Sequence, residues 1–208
     1  MKLITLPSFL AGAVLASLLV PAFAAGFTQE PDAPMADPSD LAAMMAQAQK
    51  YTRPGEHHKL LERHLGEWDT ETTLFMGGNA MEPSEGTSKS EWLMEGRWLK
   101  SDLQGSMMGM PIRIVSIMGY DNFKQSYVVT SVNSMDTIMI HQEGDMDPGG
   151  KALLMYGTLD EYLTGEHDKM VKTVFRYVSD DEMVMEVHDL PIGEKDTKVF
   201  EIHYKRRK

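Results

Sequence analysis

Residues 54–76 read PGEHHKLLERHLGEWDTETTLFM, and this stretch decides the fold. From Glu56 onward His57, Leu61, His64, Leu65 and Trp68 fall on one face at helical spacing. Gly66 ends that helix, and from Trp68 onward the pattern changes from helical to alternating, as in half-buried strands. The change of period divides the chain. Strands are expected from here to the end, and a leader, a linker and one helix before it.

Beyond residue 68 ten strand segments are bounded by turn residues, at about 68–76, 87–95, 97–104, 112–119, 126–133, 137–143, 151–159, 170–179, 182–189 and 197–206. The last alternates Phe200, Ile202 and Tyr204 with Glu201, His203 and Lys205, and Val171, Phe175 and Tyr177 repeat the pattern in the eighth. Many strands joined by short turns, with no helices between them, predict an all-β antiparallel meander. About ten such strands close into a barrel, which removes unpaired edges and leaves an interior with room for one small ligand. An open two-sheet sandwich is the architectural alternative.

Residues 1–24 read as a signal peptide: Lys2, an apolar run over 3–20, then Pro21-Ala22-Phe23-Ala24 as a cleavage site before Ala25. The competing reading is a membrane anchor, for which the run is barely long enough. Residues 25–38 are Pro-, Ala- and acid-rich and read as a flexible linker, leaving 39–208 as one domain. Ser39 is placed to cap a helix over 40–50, with Leu41, Met44, Met45 and Ala48 on one side. The chain has no cysteine and a net charge of -11, which becomes -12 without Lys2. Such a surface repels nucleic acid and anionic lipid. The expected location is periplasmic or secreted, with no membrane span after cleavage, and nothing in the sequence marks an oligomeric state.

His57-His58-Lys59-x-Leu61 followed by Leu65-Gly66-x-Trp68 resembles the opening of domain-of-unknown-function family 1579, which is uncharacterised and largely bacterial. Gly119-Tyr120-Asp121-Asn122, Ser134-x-x-Thr137, Gly149-Gly150-Lys151 and Tyr204-Lys205-Arg206 look like its later landmarks. Where the family often carries Trp and Asp before the Ser-x-x-Thr, this chain has Ser131 and Asn133. The resemblance implies a calycin-like barrel without naming an activity, and makes His57, His58, Tyr120, Asp121, Asn133 and Thr137 motif candidates. The wider calycin resemblance implies that Trp68 plugs the closed end of the barrel. It also implies that Arg206 or Arg207 stacks on that indole, a contact of about 0.5–2 kcal/mol.

The residue chemistry favours binding over catalysis. Seven residues of helix would hold His57 and His64 roughly 10 Å apart, too far to share an ion, so no metal site is assigned. Haem ligated by one histidine is the cofactor alternative by analogy with nitrobindin-type barrels, but no axial histidine stands out; His203 lies on the polar face of its strand. Eighteen methionines, including Met107, Met108 and Met110, raise copper(I), yet methionine is foremost a flexible core and pocket filler. Asp145-x-Asp147 lacks the twelfth-position Glu of a calcium loop, and no nucleophile elbow or phosphate loop is present.

The leading expectation is an exported barrel binding a small, mostly apolar molecule lined by Trp92, Trp98, Met118, Tyr127, Ile140, Tyr156 and Phe175. An enzyme using a tyrosine or histidine of the same cavity, and a structural protein with a filled core, are the other classes.

Overall fold

The computed structural model describes residues 38–161, 164–190 and 197–208. The expected signal peptide, and the expected linker as far as Asp37, lie outside them. An α-helix, α1 (Pro38–Thr52), comes first. The second helix (Glu56–His64) is a 3-10 helix rather than the expected α-helix. Eleven strands follow: β1 (Gly66–Met76), β2 (Asn79–Ala80), β3 (Ser84–Met94), β4 (Trp98–Met107), β5 (Met110–Asp121), β6 (Ser126–Asn133), β7 (Met139–Met146), β8 (Ala152–Glu161), β9 (Glu166–Tyr177), β10 (Glu182–Asp189) and β11 (Thr197–Arg206).

Each strand from β3 to β11 pairs antiparallel with the next, β3 pairs with β1, and β11 returns to β1 through Trp68↔Arg206 to Leu74↔Phe200. Ten strands therefore close a barrel. β2 is an extra two-residue strand on the end of β1, inside the stretch expected to be only a turn. In an antiparallel pair directly opposed residues share a face, so the register sorts every side chain into lumen or exterior. Trp68, Thr70 and Thr72 of β1 face inward with Tyr204 and Ile202 of β11, while Glu71 and His203 face out.

The 3-10 helix sits at the barrel end formed by the start of β1 and the end of β11. Its Leu61 is 0 % exposed and packs among Met118, Tyr120, Leu153, Met155, Phe175 and Met183. Burying such a leucine contributes about 2 kcal/mol. On α1 the apolar stripe Leu41, Met44 and Met45 is exposed. The helix is tied down at its C-terminal end, where Asn122 Nδ2 donates to the Arg53 carbonyl at 2.7 Å and Tyr51 meets Phe123 with ring centroids 5.1 Å apart.

Candidate functional site

A 3-10 helix turns once every three residues, so His58, Leu61 and His64 share its buried face. That corrects the α-helical spacing, which put His57 there. His58 Nδ1 accepts from the Gly55 N–H at 3.0 Å, capping the helix, and its ring meets Tyr120 edge-on. His57 is exposed and stacks flat on Tyr120, with centroids 4.4 Å apart, while its carbonyl accepts from the Tyr127 hydroxyl at 2.9 Å. His64 is 4 % exposed; its Nε2 lies 2.8 Å from the Tyr177 hydroxyl, and its carbonyl accepts from Trp68 Nε1 at 2.9 Å.

Arg206 locks this end. Its guanidinium lies 4.1 Å over the Trp68 ring and donates to the carbonyls of Leu65, Arg63 and Asp180. Gly66 has φ +107, a conformation strained for any L side chain, and a Cβ there would sit 2.9 Å from Arg206 Nη1. The Gly-x-Trp spacing thus follows from fitting one guanidinium between a strand start and an indole.

The buried histidines and tyrosines here are held toward their neutral forms. Burial first, then Arg63 and Arg206, lower His64 from its ordinary value to about 4. Burial, then Arg97 and His57, also lower His58. Burial chiefly raises Tyr127 to about 12 and drives Tyr177 and Tyr204 up as well. None is poised for proton transfer near pH 7. This end is a plug.

The family-motif candidates close turns and docks. Asp121 Oδ1 accepts from the N–H groups of Phe123 and Lys124, shaping the β5–β6 turn that Asn122 hangs from Arg53. Asn133 Oδ1 accepts from Met135 and Asp136, its Nδ2 donates to Asp136 at 2.9 Å, and Ser134 Oγ accepts from the Arg113 N–H. Thr137 is exposed beside that turn.

Of the expected lining, Trp92, Met118, Tyr127 and Phe175 face inward near the plug, and Ile140 faces inward further along. Trp98 and Tyr156 do not line the lumen. Pairing of Trp92 with Leu99, and of Leu99 with Met118, turns Leu99 inward and Trp98 outward, where its ring covers Gly119. Gln142 and Gly144 pair with Gly157 and Met155 toward the inside, so Tyr156 projects outward between Glu143 and Lys172, 45 % exposed.

The lumen changes along its axis. Near the plug the inward residues are buried, including Leu99, Leu153, Met155 and Met183. Toward the other end the inner face is mixed: Leu103, Ile112 and Val171 are buried, while Leu74, Ile114, Ile140, Val187 and Phe200, placed there by their partners in register, are only half-buried. The lumen also changes around its circumference. Ser90, Ser101, Ser116 and Ser131, one on each of β3 to β6, are successive partners and form an unbroken hydroxyl row. The opposite wall is mostly apolar, with Val171, Phe175, Met185 and Ile202; its Thr173 hydroxyl donates to Gln142 Oε1. Sequence reading missed that row, although Ser84-x-Gly86-x-Ser88-x-Ser90 shows small residues at alternate positions. Lys169 and Asp189 pair at 2.9 Å at the open end, and the exposed Met76, Met108, Met110 and Met139 edge the same end.

Other features compete less well. A trough of about 370 Å³ on the outer face runs past Lys89, Glu91, Lys100, Asp102 and Arg207. Its charges already pair, Lys89 with Glu91 and Asp102 with Arg113. Among the described residues no histidine faces the open half of the lumen, so the donor set does not fit haem there: His141 bonds Thr130, His203 bonds Glu201 and His188 lies beside Glu186 on the outer face, His167 pairs with the exposed Asp160, and His57, His58 and His64 are engaged at the plug.

Residues 53–206 match the family described as "Protein of unknown function (DUF1579)". No curated protein matches. Among solved structures the chain is similar to Rv2717c from M. tuberculosis, at 12 % identity and TM-score 0.54, over 75 % of this chain and 100 % of that one. It is also similar to the S-type phycobiliprotein lyase CPES from Guillardia theta, at 10 % identity and TM-score 0.50, over 73 % and 93 %. At these identities the likeness is one of fold, a barrel in each case.

Proposed function

We propose that this chain, which belongs to the DUF1579 family of unknown function, is an exported binder of a small molecule held in the open half of its barrel. The observation that carries the reading is a set of inward apolar side chains beyond the plug that stay partly uncovered inside the closed sheet. The plug end is filled by Leu61, Trp68 and Met155, while beyond it Ile114, Ile140 and Phe200 remain partly exposed beside the buried Leu103, Ile112 and Val171. Half-covered apolar walls inside a closed sheet form a concave site of the kind small molecules occupy. Export is supported by the leader pattern of Lys2, the apolar run and Ala22-Phe23-Ala24.

The test uses N-phenyl-1-naphthylamine, a neutral probe whose fluorescence rises in apolar surroundings, with the full mature chain. Saturable one-to-one binding is expected. Ile140→Trp, which fills the lumen, weakens it roughly tenfold or more, since an overfilled site loses most of its binding contacts. Ile117→Trp, on the outer face, leaves it unchanged. No saturable signal, or equal binding by Ile140→Trp, overturns the reading.

A further inference from the structure

We infer that the ligand is two-sided, with hydrogen-bonding oxygens along one edge lying on the Ser90–Ser101–Ser116–Ser131 row and hydrocarbon facing the opposite wall. The inference rests on the open half of the barrel being the binding site. Neighbouring strands are about 4.8 Å apart, so the row presents hydroxyls at a regular interval across four strands. Ser90 and Ser101 satisfy one another at 2.7 Å. Among the described residues the hydroxyls of Ser116 and Ser131 make no hydrogen bond within the protein.

The small side chains alone would show only where the lumen is widest. A second observation points to a polar occupant. Thr70, 5 % exposed, faces inward on β1, the strand next to β3, and its buried hydroxyl has no partner among the described residues. Buried hydroxyls without partners are costly, so the lumen contents must supply them. Water can do so when no ligand is bound. A purely hydrocarbon ligand would displace that water and strand the hydroxyls, whereas oxygens along one edge replace it bond for bond. The opposite wall presents Val171, Phe175, Met185 and Ile202, and the Thr173 hydroxyl between them is already donated to Gln142 Oε1 at 3.1 Å, so the side of the molecule against this wall is apolar. The ligand class is a compact ring compound hydroxylated or oxidised along one side.

Two probes share a skeleton and differ in that edge: flavone, and its polyhydroxylated analogue quercetin. Calorimetric titration of the full mature chain is expected to give quercetin roughly tenfold tighter binding or more, the equivalent of one to two net hydrogen bonds. The double variant Ser116→Ala/Ser131→Ala removes only two oxygens. It should weaken quercetin roughly five- to a hundredfold, leaving flavone binding and the melting temperature unchanged. Equal affinities for the two probes, or a double variant that still prefers quercetin, overturn the polar edge while the barrel remains a binder. If neither flavonoid binds, the inference is overturned, and the naphthylamine titration above decides whether the binding site falls with it.

Discussion

Acidification to pH 4.5 should cost the protein about 2.5 kcal/mol through His64 alone. The unfolded chain takes up this proton near the ordinary histidine value of 6.5, and the folded protein not until about 4. Between those values the unfolded state binds more protons, so stability falls as pH drops through the window and is complete above it. The full difference, about 2.5 pH units at 1.36 kcal/mol each, is about 3.4 kcal/mol, most of it already lost at pH 4.5. His58, also lowered, acts in the same direction. Asp102 and Asp147, lowered by Arg113 and by backbone N–H groups, lose their contribution only at still lower pH. The assay is urea unfolding at pH 7, 5.5 and 4.5, analysed by linear extrapolation. In His64→Gln a side-chain amide faces Tyr177 without titrating, so that variant is less stable at pH 7 but much flatter between pH 6.5 and 4.5. Wild-type stability equal at pH 7 and 4.5, or an unchanged slope in His64→Gln, would refute a neutral buried His64.

Arg206→Ala removes the contact with Trp68 and the donors to three backbone carbonyls, for about 3 kcal/mol and a fall in melting temperature of about 6–12 °C. Arg206→Lys keeps the charge without the fork and should lose about half as much by thermal circular dichroism. A Cβ at Gly144 would run into the backbone carbonyl of Leu154, which cannot step aside, so Gly144→Ala should cost at least about 3 kcal/mol. Gly105→Ala, whose new atom would meet nothing closer than 3.8 Å, should stay within about 0.5 kcal/mol. Urea midpoints separate the two.

The barrel was legible because alternation is a local property. Phe200, Ile202 and Tyr204 needed no partner strand to declare their face, and they lie inside with Thr70 and Thr72. Trp98 and Tyr156 turn outward, against expectation, because local alternation around them does not fix which face points in. Only the pairings Trp92↔Leu99 and Gly144↔Met155 settle which parity points in, and pairing is non-local. His57 and His58 exchanged roles because three and 3.6 residues per turn diverge by just over a full position over His58 to His64. The serine row was hidden for a related reason. Its four members lie on four strands, and serine at alternate positions reads as an outer face until the register turns it inward.

Native mass spectrometry, with an absorption spectrum, on protein purified gently from its own cells tests the central claim most directly. A binder of the kind described here carries a reproducible added mass of an oxygen-bearing ring compound, and Ile140→Trp prepared in the same way carries none. The bare mass of the mature chain from both proteins would contradict it.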